Sequence, residues 1–212
     1  SDKERSQFLG QMMTAVRDIL QSQQGLNHKE NYHEFCRLLG RLKSNYQLSE
    51  LVRTESYLEW LDLAASFSVT SFEQWQWSSN SIHYLLQLWG RLVAAVPYVH
   101  PEATGTQNHM QQLEHCTVRV LQAYIKAMVE SVQQVAYSEG TIEDPLDSEG
   151  SLKEQLDRLP LIFRFQYPTM ATFLLQQLDP VMQQYVEHLE PVNQALAGNI
   201  QPDPQLVQRV EI

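Results

Sequence analysis

Arg37 and Arg41 stand one helical turn apart within NYHEFCRLLGRLKSNYQLSELV (31–52), a spacing that lets two guanidinium groups face one carboxylate or phosphate. The same spacing also makes an ordinary solvated helix face. Glu143, Asp144, Asp147 and Glu149 crowd negative charge into a connector with turn residues at both ends, EGTIEDPLDSEG (139–150). Such a segment attracts basic surfaces of protein partners, and its plain alternative is an acidic solvated turn. These six residues are the candidate partner-binding groups.

Other chemistries find less support. Trp75 and Trp77 could grip a partner, but packing is the expected role of two bulky aromatics just before a helix. His109, His115 and Cys116 carry metal-ligating atoms at a spacing that matches no standard zinc pattern, so no metal is expected. His28 precedes a helix while His33 lies on its polar side, which gives no shared site. The sequence shows no Gly-rich phosphate loop, no nucleophile on a strand-to-helix turn and no carboxylate pair with an apolar pocket, so neither catalysis nor a cofactor is expected.

Composition narrows the partners. Against 15 Lys and Arg stand 25 Asp and Glu, and the resulting charge of −10 repels a nucleic-acid backbone and favours basic protein surfaces. A hydrophobic share of 43% is enough to build a core. Cys36 and Cys116 fall on apolar helix faces, as small buried hydrophobes in a reducing compartment do. No apolar run approaches the roughly 18 residues of a membrane span, and no secretory signal is present, so a soluble intracellular protein without membrane insertion is expected. The chain lacks an initiator Met and stops within an apolar pattern of Leu206, Val207 and Val210, which reads as an excerpt from a longer protein.

The elements that must position these groups follow from periodicity. Phe8, Leu9, Met12, Met13, Val16, Ile19 and Leu20 mark a helix over about 3–24. In the next helix Tyr32, Phe35, Cys36, Leu38, Leu39, Leu42 and Tyr46 share an arc of roughly 160°, leaving His33, Arg37, Arg41 and Ser44 to water. A third segment, with Leu51, Tyr57, Leu58, Leu61, Ala65 and Phe67, is broken in its middle, and SVTSFEQW (68–75) leads into a strong helix over about 81–96 that Pro97 closes. A loop over 97–106 precedes the longest periodic segment, about 107–136. After the acidic connector come a helix over about 151–159 and one from Pro168 that Asp179-Pro180 interrupts. Two-residue alternation is nowhere sustained, so the chain is all-α. Helix pairs could form a bundle, but their recurrence at about 40 residues favours an α-solenoid of HEAT-type repeats, about five pairs over 1–212 with no separate domain boundary.

The wording of 31–52, of NSIHYLLQLW (80–89) with RLV (91–93) and VPYV (96–99), and of EDPL (143–146) and RFQY (164–167) resembles the exportins of the importin-beta (karyopherin) superfamily. Trp75-Gln76-Trp77 and Phe163-Arg164-Phe165-Gln166 look nearer to plant or protist members. The resemblance implies an interior segment of a longer right-handed HEAT superhelix that binds protein cargo with Ran-GTP in the nucleus, passes the nuclear pore by contact with its proteins, and releases cargo in the cytoplasm. GTP chemistry then belongs to Ran. A HEAT or armadillo-like interaction scaffold without a transport role fits the periodicity equally well.

Overall fold

The computed structural model describes residues 2–99, 106–138, 142 and 149–211. Its long helices are α1 (Asp2–Ser22), α2 (Lys29–Asn45), α4 (Tyr57–Glu73), α6 (Ile82–Ala94), α7 (Thr106–Tyr137) and α10 (Tyr167–Ala197). Between or beyond them lie α3 (Leu48–Leu51), α5 (Trp75–Ser78), α8 (Glu149–Leu156), α9 (Leu159–Phe165) and α11 (Pro204–Glu211). A 3-10 turn over Val96–Tyr98, with Pro97 inside it, ends the α6 region. No strand occurs among the described residues, and the all-α expectation holds.

The long helices sort into two rows. α1 packs on α4, α4 on α7 and α7 on α10, while α2 packs on α6 and α6 on α9. Across α4 and α7, Tyr57 meets His109, Asp62 meets Arg119 and Phe72 meets Tyr124. Across α2 and α6, His33 meets Ser81 and Ser44 meets Arg91. Residue numbers that rise together on both partners require parallel axes. Parallel neighbours, α4 with α7 in one row and α2 with α6 in the other, in a chain whose long helices from α1 to α7 alternate between the rows, are the packing of an α-solenoid. Its interior is lined by the fully buried side chains of Trp60, Trp89, Tyr57, Phe72, Leu39 and Leu85.

The sequence SVTSFE departs from the expected connector and continues α4 to Glu73. Hydroxyl-rich stretches read as loops because Ser and Thr can hydrogen-bond the backbone outside helices. Here those bonds are made inside the helix instead. Ser68 Oγ donates to the Ala64 carbonyl at 2.8 Å and Ser71 Oγ to the Phe67 carbonyl at 2.7 Å, so two buried hydroxyls are satisfied without leaving helical geometry. Ser68 also accepts from Trp89 Nε1 at 3.0 Å, which gives the buried indole of α6 its partner on the other row.

In α2, the apolar arc is buried at Tyr32, Phe35, Cys36, Leu39 and Leu42, but Leu38, at the margin of the arc, remains 41% exposed. The side expected to face water is partly covered, because α6 lies along it. Gly40 permits that approach: a Cβ there would stand 2.9 Å from the Tyr84 carbonyl oxygen. Gly90 marks the next contact in the row, where a Cβ would meet Ile162 of α9 at 3.8 Å, an ordinary van der Waals distance. The expected break at Asp179-Pro180 is absent, and α10 runs through both Pro180 and Pro191. Proline denies a hydrogen bond to the carbonyl four residues back. Around Pro180 the helix is exposed, so water can satisfy the freed carbonyl.

Alanine favours a helix over glycine by about 0.5–1 kcal/mol, so Gly10→Ala, where nothing stands within 4 Å of the added methyl, should stabilise by about that amount. Gly40→Ala should destabilise by about 1–3 kcal/mol, because the obstacle is backbone that cannot rotate away. Denaturant titration of both variants checks the pair, and equal gains would mean that α2 and α6 are not in close contact.

Candidate protein-interaction surfaces

Ion pairs stitch the α1, α4 and α7 row along its solvent edge. Arg17 reaches Asp18 at 2.7 Å and Glu59 at 3.3 Å, joining α1 to α4. Arg119 reaches Asp62 at 3.2 Å and donates to Ser66 Oγ at 2.7 Å, joining α7 to α4. Arg5 binds Glu50 at 2.8 Å, donates to the Asn45 carbonyl at 2.9 Å and stacks on Tyr46, which fixes the start of α1 against the α2–α3 corner. The Arg5 hydrogen bond holds the Glu50 carboxyl below its usual range. Exposed pairs of this kind contribute little stability each, and their effect is to set register.

The sequence-based candidates fare unevenly. Arg37 is engaged by Glu34 of its own helix at 2.9 Å. Arg41 is exposed and forms no ion pair among the described residues. Glu143, Asp144 and Asp147 lie outside the described residues, while Glu149 opens α8. Trp75 is buried as expected, but Trp77 keeps 36% of its surface, resting on Tyr32 with the Lys29 ammonium 5.9 Å from its ring. It stands at the mouth of a groove of about 510 Å³ between α1, α2 and α4, lined by Leu20, Leu26, Leu63 and Phe67.

A second cleft, of about 730 Å³, separates α1 from the α3–α4 corner and is lined by Arg17, Asp18, Glu50 and Arg53. His109 packs against Tyr57 at 5.4 Å, and among the described residues no three His, Cys, Asp or Glu side chains gather as a metal site. No helix among them is long and apolar enough to cross a membrane. On α10, Leu175, Leu178, Met182 and Val186 follow one another at three- and four-residue steps and are all exposed, so this helix presents an uncovered apolar ridge.

Two groups escaped the sequence reading. Gly40 left one signal, a glycine inside a strongly periodic helix. Arg91 left none, since its bond to the Gly40 carbonyl at 2.7 Å depends on which helices become neighbours.

A family described as "Exportin-7-like, TPR domain" matches residues 131–203. Exportin-7-A of Xenopus laevis is 45% identical over 190 residues, covering 90% of this chain and 17% of that protein. Ran-binding protein 17 of Mus musculus is 41% identical over 182 residues, covering 86% of this chain and 16% of its own length. Exportin-7 of Dictyostelium discoideum is 27% identical over 191 residues, covering 90% and 18%. The plant- or protist-like wording at 75–77 and 163–166 therefore does not bring the chain as a whole nearer to the Dictyostelium protein than to the vertebrate ones. The chain spans about a sixth of the length of the curated relatives it matches. No solved structure gives a significant match. A TPR unit, like a HEAT unit, is a stacked helix pair, in agreement with the two rows.

Both cysteines are free and buried. Burial pushes the Cys36 thiol up to about 12 and the Cys116 thiol up to about 11, so neither supplies thiolate near neutral pH. At pH 8 a thiol-specific reagent should leave both unmodified in the folded chain and react with both after denaturation. Rapid reaction of the folded chain would contradict the packing of α2 or α7.

Proposed function

We propose that this chain of stacked helices, similar along most of its length to exportin-7 proteins, is an interior stretch of a nuclear export receptor. In this reading the whole receptor binds cargo proteins together with Ran-GTP in the nucleus, crosses the pore by contact with nuclear pore proteins, and releases cargo in the cytoplasm. The supporting observation is the 45% identity, sustained over 90% of the chain, to a protein named exportin-7. A relative named Ran-binding protein 17 supports Ran as the partner. The receptor shuttles between nucleus and cytoplasm and has no catalytic task, since the GTP is hydrolysed on Ran. Nucleic acid and membrane are not its targets.

The two-row stack supplies a physical route for this work. Each helix pair packs on its neighbours alone, so small rotations at successive interfaces add up to a change of curvature. The exposed ridge of α10 is an apolar face suited to packing against a helix, and residues 1–212 hold no domain boundary of their own. Arg37, Arg41 and the acidic residues Glu143, Asp144, Asp147 and Glu149 are contacts for cargo or Ran, the connector attracting basic surfaces.

Full-length receptor on beads, mixed with nuclear extract and Ran locked in its GTP form, should retain a set of proteins that is lost when Ran is omitted. Deleting 141–150 should shrink that set if the connector is a contact. The same proteins retained with and without Ran-GTP would replace the export reading by a scaffold without a transport role.

A further inference from the structure

The row α2, α6, α9 differs from the other in how its cations are treated. Arg91 of α6 donates through Nη1 to the Gly40 carbonyl at 2.7 Å and to Ser44 Oγ, which pins its guanidinium over the last turns of α2 and leaves Nε and Nη2 without protein acceptors among the described residues. Lys43 stands on that same stretch of α2, its ammonium donating to the Tyr46 carbonyl at 3.3 Å. On the far side, the contact between Gly90 and Ile162 brings the Arg91 turn of α6 beside the first turn of α9, where Arg158 is the N-cap. Arg91 and Lys43 are thereby held on one ridge, with the exposed Arg158 close enough for its charge to act on Arg91.

None of the three is in an ion pair among the described residues, although the chain has ten more acids than bases. Glu50, whose charge reaches Lys43, is held by Arg5, and Glu34 is held by Arg37. Glu154 acts on His83. Burial and then the neighbouring cation, Arg91 for Lys43 and Arg158 for Arg91, keep both groups below their ordinary values. The ridge therefore carries mutual repulsion that Glu50, itself held by Arg5, offsets only in part at Lys43.

We propose that Lys43, Arg91 and Arg158 form a docking site for a short, carboxylate-rich segment of a partner protein. Charge complementarity selects the occupant. Carboxylates can accept from the unspent N–H groups of Arg91 while the flanking cations fix the segment's direction. A short acidic segment meets the ridge alone, whereas the uniform charge of a nucleic-acid strand would also meet the surrounding excess of acids. The site does not depend on the export reading and would serve a scaffold equally.

The test is fluorescence anisotropy of a labelled peptide of about ten glutamates against the full-length protein, with the double variant Lys43→Ala/Arg158→Ala and with Arg53→Ala as a cation outside the ridge. The double variant should weaken binding by about tenfold or more and flatten its salt dependence, while Arg53→Ala should match the parent. Should the alanine pair fail to fold, Lys43→Gln/Arg158→Gln is read in the same way. Equal affinity of parent and double variant overturns the site. An RNA oligonucleotide of equal charge that binds the parent more tightly than the peptide, and loses binding in the double variant, overturns the carboxylate assignment.

Discussion

A helix inside a row of a two-row stack must hide two flanks and an inner face at once, and α4 shows what that demands. Tyr57, Trp60, Ala64, Ala65, Phe67, Ser68, Ser71 and Phe72 are all buried, so its apolar surface goes far beyond a single stripe. Small residues at 64, 65, 68 and 71 leave room for the neighbouring helices, and the two serines avoid an unpaired buried hydroxyl by bonding to carbonyls of their own helix. The indole of Trp89, fully buried on α6, then has a partner only because Ser68 is there. The contact of Phe72 with Tyr124, by which the end of α4 meets α7, depends on α4 running unbroken to Glu73.

Most of this was legible in the chain, for an identifiable reason. α2, α6 and α7 bury one face each for several turns, and such faces announce themselves by three- and four-residue spacing. What escaped was set by contacts between elements. SVTSFE has the composition of a loop, and only the tertiary burial of Ser68 and Ser71 makes its helical form the better solution. The polar side of α2 reads as solvent-facing because nothing in 31–52 states that α6 will lie along it; Gly40 inside a periodic helix is the one sign of a close neighbour. Asp179-Pro180 carried a sound break signal that an exposed helix with water-accessible carbonyls overrides. For the surfaces, the turn-to-turn spacing of Arg37 and Arg41 was visible, whereas the gathering of Lys43, Arg91 and Arg158 needs three segments that are far apart in sequence.

Energetically the two rows are unlike. The α1, α4, α7 edge is held by exposed ion pairs, each weak and each screened by salt. On the other side the α2–α6 contact is a backbone approach at a glycine, reinforced by a guanidinium bound to a carbonyl. Both rows are also closely packed, with α4 buried on several sides, so bending is shared among small rotations at successive interfaces. For a receptor proposed to couple cargo and Ran-GTP through curvature, this is the mechanical property required.

Calorimetric titration of the full-length protein with purified Ran, loaded in turn with GTP and with GDP, decides whether this chain is part of a Ran-dependent transport receptor. A Ran-dependent receptor binds the GTP form more tightly by at least about tenfold, within the usual span of coupling energies. Equal affinity for the two nucleotide states, or no binding of either by the folded protein, would contradict it.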